Sequence, residues 1–200
     1  SAAASEFDEM KALADKGDAY AQNNLGFMYD NGRGVPENDA EAVKWFKKAA
    51  AQGRADAQYN LGVMYDNGSG VPENDAEAFK WYRKAADQGR ADAQYNLGVM
   101  YDNGSGVPEN DAEAVKWYRK AADQGLAAAQ SNLGYMYYSG DGVPENNIRA
   151  YLWWSMAKTQ GRDNAANNID ILKSDMTPQQ IADGQALAAK CYESNYTDCD

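Results

Sequence analysis

The sequence predicts an all-α protein, a solenoid of 36-residue helix-pair repeats. Three observations predict it. First, four anchors recur every 36 residues: Leu25-Gly26, Leu61-Gly62, Leu97-Gly98 and Leu133-Gly134; Tyr29, Tyr65, Tyr101 and Tyr137; Pro36, Pro72, Pro108 and Pro144; Trp45, Trp81, Trp117 and Trp153. Second, residues 55–90 and 91–126 differ at only two positions, Phe79 against Val115 and Arg90 against Leu126. Third, the apolar residues between the anchors fall at helical spacing. A helix pair of this size cannot bury its apolar face alone, so neighbouring copies must stack into one continuous core.

The frame begins before the first full copy. Moving the Trp45 helix back by one repeat places Phe7, Met10, Leu13 and Ala14 at core positions and Gly17 at the place of Gly53. Residues 5–17 therefore read as the second half of a repeat. Full repeats follow at 18–53, 54–89, 90–125 and 126–161. Residues 162–174 read as the first half of a fifth, with Ile169 at the Leu place but without the Gly and Tyr.

The second copy shows how each repeat is built. At about 100° per residue, Ala57, Gln58, Leu61, Met64 and Tyr65 fall on one side of a first helix. Gly62 lies beside them. A Gly inside a helix costs about 1 kcal/mol against Ala, so its recurrence needs a cause, and close approach of a neighbouring helix backbone is the expected one. Asn67-Gly68-Ser69-Gly70 ends the helix, because Gly and Asn tolerate the left-handed conformation after a last turn. Val71-Pro72 is extended. Asn74 or Asp75 caps the second helix, and Glu77 completes a capping-box pattern. Ala78, Trp81, Tyr82, Ala85 and Ala86 form its inner face, Gln88-Gly89 stops it, and Trp154 shares the place of Phe46, Tyr82 and Tyr118.

A final helix is expected over about 177–194, with Thr177 as cap and Pro178 at its first position. Ile181, Ala182, Gln185, Leu187, Ala188, Ala189 and Tyr192 are its expected inner side, shielding the end of the core. Cys191 and Cys199 are the two cysteines of the chain. Placed close together near a terminus that would otherwise fray, they predict a disulfide and a periplasmic or secreted location. The alternative is a pair of free thiols in a cytosolic protein. Ser1-Ala2-Ala3-Ala4-Ser5 has neither the basic start nor the apolar centre of a signal peptide, and Ser1 reads equally as a processing or trimming boundary or as a cloning scar.

Composition narrows the function. The formal charge is −11 and the pI near 4.5, which argues against nucleic acid or anionic membrane as partner. No apolar run approaches about 18 residues, so no membrane insertion is expected. The chain has no histidine, which removes the usual general base and the usual metal ligand together. Counted from Asp66, the third and fifth places of a calcium loop are Gly68 and Gly70, so that spacing fails. The Gly-Ser-Gly-Val loop has no Lys-Ser/Thr after it and acids around it, unlike a phosphate loop. Carboxylates recur identically from copy to copy, whereas a catalytic pair stands at one singular place. No cofactor, metal or catalytic residue is expected.

The stretch ADAQYNLGVMYDNGSGVPENDAEAVKWYRKAADQG resembles the Sel-one-like repeat, a relative of the tetratricopeptide repeat. The resemblance rests on Ala-Gln before Leu-Gly, Tyr three residues after that Gly, the Gly-x-Gly-Val loop, the Ala-x-x-Trp-Tyr-x-x-Ala-Ala helix and the closing Gln-Gly, and it covers about residues 5–173. It implies a right-handed α/α superhelix whose first helices line the concave side. It also implies an adaptor that holds other proteins together without chemistry of its own. Cysteine-rich members described as binding β-lactams carry a Cys pair in each repeat. This chain has none in its repeats, so that activity is not implied.

On the face of each first helix opposite the Leu stand Tyr20, Asn23, Phe27 and Asp30; Asp56, Tyr59, Val63 and Asp66; Asp92, Tyr95, Val99 and Asp102; and Ala128, Ser131, Tyr135 and Tyr138. Helix stability does not require exposed aromatics there, and such residues anchor protein interfaces. The acids favour a basic or mixed-charge segment. Asn23, Phe27, Asp30, Tyr59, Val63, Asp66, Tyr95, Val99, Asp102, Tyr135 and Tyr138 are thus the candidate partner-binding residues of a monomeric scaffold. Asn24, Asn60, Asn96, Asn132 and Asn168 also recur. They either bond to the adjoining repeat or, for Asn60, Asn96 and Asn132, contact the backbone of a bound peptide. The rival readings are a carbohydrate or cell-wall binder using the Tyr stripe and, less favoured, an acid-catalysed hydrolase.

Overall fold

Each second helix starts at an asparagine whose side chain closes the first turn. The Oδ1 atoms of Asn38, Asn74, Asn110 and Asn146 accept the backbone N–H three residues on, at 3.0–3.1 Å. Satisfying one orphan donor in this way contributes about 1 kcal/mol per helix. Glu77 does not complete a capping box: its carboxylate accepts from Lys80 instead. The computed structural model describes residues 2–199, with side chains from residue 5. Among the described residues there are eleven α-helices and no strand: α1 Ala2–Asp15, α2 Ala19–Asp30, α3 Asp39–Ala51, α4 Ala55–Asn67, α5 Asp75–Asp87, α6 Ala91–Asn103, α7 Asp111–Ala122, α8 Ala127–Ser139, α9 Asn147–Thr159, α10 Asp163–Lys173 and α11 Pro178–Glu193.

By its contacts the chain forms two units, Ser1–Ala93 with Ser105–Val107, and Gln94–Gly104 with Pro108–Asp200. In the first unit α2 packs on α1 and α3, and α4 on α3 and α5. Its core joins Val43, Phe46 and Ala49 of α3 to Ala57, Leu61 and Met64 of α4. A neighbouring cluster joins Ala14 of α1 to Ala21, Leu25 and Trp45. In the second unit α8 packs on α7 and α9, and α9 also receives α10 and α11. Its main core contains Tyr118, Leu133, Met136, Leu152 and Trp153, closed by Ala188, Cys191 and Cys199. Fully burying a Leu or Phe contributes about 1.5–3 kcal/mol.

The expected role of the helix glycines needs correction. A methyl group on Gly26 would lie 2.7 Å from two ring atoms of Phe46. At Gly62 the obstacle is the ring of Tyr82, at Gly98 that of Tyr118 and at Gly134 that of Trp154. These glycines admit an aromatic ring from their own repeat's second helix. They do not admit a neighbouring backbone. The close backbone approach occurs instead in the loops. Gly70 has φ 68°, and a Cβ there would overlap the backbone of Asp39 and Ala40 in the preceding repeat. Only glycine satisfies both conditions.

A glutamine pair, one member buried and the other exposed, whose role the sequence did not reveal, ties each junction. Gln58 is 6% exposed. It donates to the carbonyl of Ala50 at 3.4 Å and accepts from Gln88 Nε2 at 2.7 Å, while Gln88 also donates to Gly53 O at 2.9 Å. The arrangement repeats at Gln22 with Gln52, Gln94 with Gln124, and Gln130 with Gln160. Buried polar side chains are affordable only when satisfied in this way.

The tryptophans pack inward as expected, except that Trp81 is half-buried. Lys84 Nζ lies 4.1 Å from the centre of its ring. Trp154 is 2% exposed.

The final helix is capped as its sequence predicts. Thr177 Oγ1 accepts from Gln180 N at 3.2 Å and Gln180 Oε1 accepts from Thr177 N at 2.8 Å. Its inner stripe differs from expectation. Gly184, Ala188 and Cys191 are buried, with Ile181 and Leu187 half-buried. Ala182, Gln185, Ala189 and Tyr192 face outward. The cause is local: Gly184 meets the ring of Tyr151, and Cys191 must face inward to bond Cys199. That disulfide is formed, with Cα atoms 4.4 Å apart. Cys191 O accepts from Tyr196 N at 2.9 Å, which folds the tail back onto the helix.

Candidate protein-binding face

The side of each first helix that the Leu series leaves uncovered carries the candidate residues. In the first unit Tyr20 is 57% and Phe27 49% exposed. Tyr59 and Val63 are half-buried and Asp66 is exposed. Tyr59 leans on Tyr82, with ring centres 5.8 Å apart. In the second unit Tyr95 leans likewise on Tyr118 at 5.9 Å. Val99 is half-buried there and Tyr135 is 55% exposed. The Tyr59 and Tyr95 positions are therefore neither freely exposed nor sealed against the second helices.

Asn23 departs from expectation. It is 9% exposed and accepts from Asn60 Nδ2 at 3.2 Å, so it is a structural contact between first helices and not a groove residue. Through that bond the Asn60 amide joins adjoining repeats. Asn96 and Asn132 are half-buried. Ser131, at the place of Asn23 and Tyr59, is buried and accepts from Asn164 Nδ2 at 3.4 Å.

The acids of the face fall into two groups. Near the start of the first helices, Asp56 is paired with both Arg54 and Arg90, and Asp92 with Arg90. The same guanidinium groups lie over aromatic rings, Arg54 at 5.1 Å from Tyr20 and Arg90 at 4.4 Å from Tyr59. Charge alone did not reveal this Arg–Tyr–Asp lattice. Near the helix ends, Asp30, Asp66 and Asp102 have no ion-pair partner among the described residues. Asp66 and Asp102 accept from the hydroxyls of Tyr82 and Tyr118 at 3.1 and 3.0 Å. Burial, reinforced by the charges of Asp39 and Glu37, holds the Asp30 carboxyl above the usual carboxylate range. Burial also raises Asp102; the Tyr118 hydroxyl opposes the shift, while Asp111 and Asp141 add to it. The helix ends are thus the part of the face with uncompensated negative charge.

Two hollows open on this side. One of about 300 Å³ is lined by Glu6, Met10, Tyr20, Asn24, Phe27, Met28 and Arg33. The other, of about 170 Å³, is lined by Tyr135, Tyr138, Trp154, Asn168 and Ile171. Among the described residues no group of three or more His, Cys, Asp or Glu is placed to hold a metal ion. No helix is long and apolar enough to cross a membrane.

Stacked helix pairs repeated along the chain define a helical-repeat protein. The family follows from direct comparison. Residues 19–53, 55–89, 91–126 and 127–161 each match the Sel1 repeat, and the chain belongs to the Sel1 repeat family. It is similar to c5321, a protective antigen of uropathogenic Escherichia coli with this fold, at 36% identity and a TM-score of 0.83 over 96% of this chain. It spans 46% of that antigen's length. A Sel1 repeat protein from Oxalobacter formigenes is 33% identical, with a TM-score of 0.79 over 94% of this chain and 79% of the other. Helicobacter pylori cysteine rich protein B is 26% identical, with a TM-score of 0.50 over 62% of this chain and 95% of that protein. No curated protein matches the sequence. Sel1-repeat proteins are typically non-catalytic protein-interaction scaffolds, and the fold class read from the sequence is that of these relatives.

Proposed function

We propose that this chain is a non-enzymatic, monomeric scaffold, a single solenoid over its repeats, that holds a protein or peptide segment against its first helices. In this repeat class those helices form the concave side. The observation that carries the reading is the exposure of Tyr20, Phe27, Tyr135 and Ile171 at positions where helix stability asks for nothing apolar. Phe27, Val63, Val99, Tyr135 and Tyr138 would supply contact area, and Asp30, Asp66 and Asp102 would favour cationic residues on the partner. Asn60, Asn96 and Asn132 serve this face mainly by fixing it. The carbohydrate reading gains no support, since Arg54 and Arg90 lie over the rings of Tyr20 and Tyr59 that a sugar would stack on.

Crosslinking in the source cell followed by mass spectrometry tests the proposal. It requires a protein partner whose links map to α2, α4, α6, α8 or α10. Links confined to α3, α5 and α7 would reject it. The Cys191–Cys199 bridge is consistent with an extracytoplasmic location, which we propose as periplasmic or secreted. Thiol titration of protein isolated without reductant should find no free thiol.

A further inference from the structure

In the second and third copies a tyrosine–aspartate pair closes the end of the first helix: Tyr82 with Asp66, and Tyr118 with Asp102. In the fourth copy both members change together. Trp154 replaces the tyrosine and Tyr138 replaces the aspartate. Their rings meet at 5.6 Å, and the indole N–H is satisfied by Ser131 O at 3.0 Å. The indole N–H is thus satisfied without the old carboxylate, and two aromatic rings wall this side. The hollow of about 170 Å³ opens against that wall. Tyr135 and Ile171, 55% and 59% exposed, stand at the place held by Val63 and Val99 in the middle copies. Asn168 completes the lining, and its amide has no hydrogen-bond partner among the described residues. The hollow falls below the roughly 300–1,000 Å³ typical of small-molecule sites, so its size suits one side chain.

Charge defines what flanks that side chain. Asp111 and Asp141 each add negative charge near Asp102, and none of the three has an ion-pair partner among the described residues. Asp141 follows the lining residue Tyr138 by three residues in the chain, and Asp102 holds the place of Tyr138 one repeat earlier. We propose that this hollow takes one bulky apolar side chain of a cationic protein segment, with a neighbouring Lys or Arg held by Asp102, Asp111 and Asp141. Asn168 offers its amide to the segment's backbone. The proposal rests on the scaffold reading above and assigns the fourth repeat as its anchor point.

Amide NMR on the isotope-labelled full chain tests it with three capped peptides, Gly-Lys-Phe-Lys-Gly, Gly-Lys-Ala-Lys-Gly and Gly-Glu-Phe-Glu-Gly. The first should shift signals of Tyr135, Asn168 and Ile171 saturably, with a Kd at least about tenfold below either control. Ile171→Ser and Tyr138→Asp should each erase that preference. Ile171→Ser, at an exposed position, should leave the helical CD and Tm unchanged. Equal binding of the Ala or the Glu peptide, shifts confined to other residues, or no shift up to about 10 mM peptide would overturn the proposal. A native partner that crosslinks to the first helices undiminished by Ile171→Ser would reject the anchor and leave the scaffold reading standing. A partner that crosslinks only to α3, α5 and α7 would reject the scaffold reading itself.

Discussion

At Gly62 a methyl group would enter the ring of Tyr82, and two opposed effects can be weighed there. Alanine would improve helix propensity by about 1 kcal/mol. Overpacking a buried ring costs about 1–3 kcal/mol, and moving Tyr82 strains its bond to Asp66. We expect Gly62→Ala to lose about 1–2 kcal/mol net, read as a lower urea midpoint at unchanged m-value. In a Tyr82→Ala background the same change should be stabilising, because only the propensity gain remains. At Asp102 the sign runs through ionisation. Its folded carboxyl is raised above the usual aspartate range by burial, so the folded state holds the proton more tightly than the unfolded chain. Its contribution is therefore favourable near and below that range and is lost as pH rises through the folded pKa. Asp102→Asn keeps an acceptor for Tyr118. Relative to the parent, it should gain stability at pH 7 but not near pH 4, as thermal melts of both proteins at the two pH values will show.

At the scale of elements, what was legible depended on how local the cause was. Helix starts at Asn38, Asn74, Asn110 and Asn146 and stops at Gly68 and Gly140 were readable because a cap is decided by a few adjacent residues. The inner side of α11 was misread because it depends on Tyr151, distant in sequence, and on the inward demand of Cys191. The glutamine pairs were invisible for the same reason: Gln58 and Gln88 lie 30 residues apart, and neither residue type advertises burial. The tail is an element of its own. Cys191 and Cys199 are 0% and 4% exposed, Tyr196 packs near Gly125 and Lys190 pairs with Asp198 at 2.7 Å. Closing this short loop contributes about 2–3 kcal/mol. In a repeat array that loss stays largely local. Cys191→Ser with Cys199→Ser should therefore speed hydrogen exchange in α11 and the tail by on the order of 30-fold or more, leaving α2–α5 unchanged. Equal acceleration throughout the chain would contradict a local role.

For the molecule as a whole, periodicity disclosed the family and marked a candidate face, because repeats broadcast their frame many times. It did not disclose which face residues are open. Asn23 and Tyr59 occupy the same place in successive copies, yet Asn23 is buried by its bond to Asn60 while Tyr59 leans half-exposed on Tyr82. The aromatic pocket of the fourth repeat was missed because Tyr138 and Trp154 were read separately and Ile171 was not singled out, whereas the exchange of Asp for Tyr138 beside Trp154 could have signalled it. On the proposed function, a net charge of −11, part of it at helix ends without paired cations, would favour a basic partner. The most direct test places a photo-crosslinking residue at Phe27, Val63, Val99 or Tyr135, and in parallel at Lys44, Lys80 or Lys116 on the exposed side of the second helices, in the source cell. We predict adducts with one partner from the first set and none from the second. Adducts from the lysine positions alone would contradict the account.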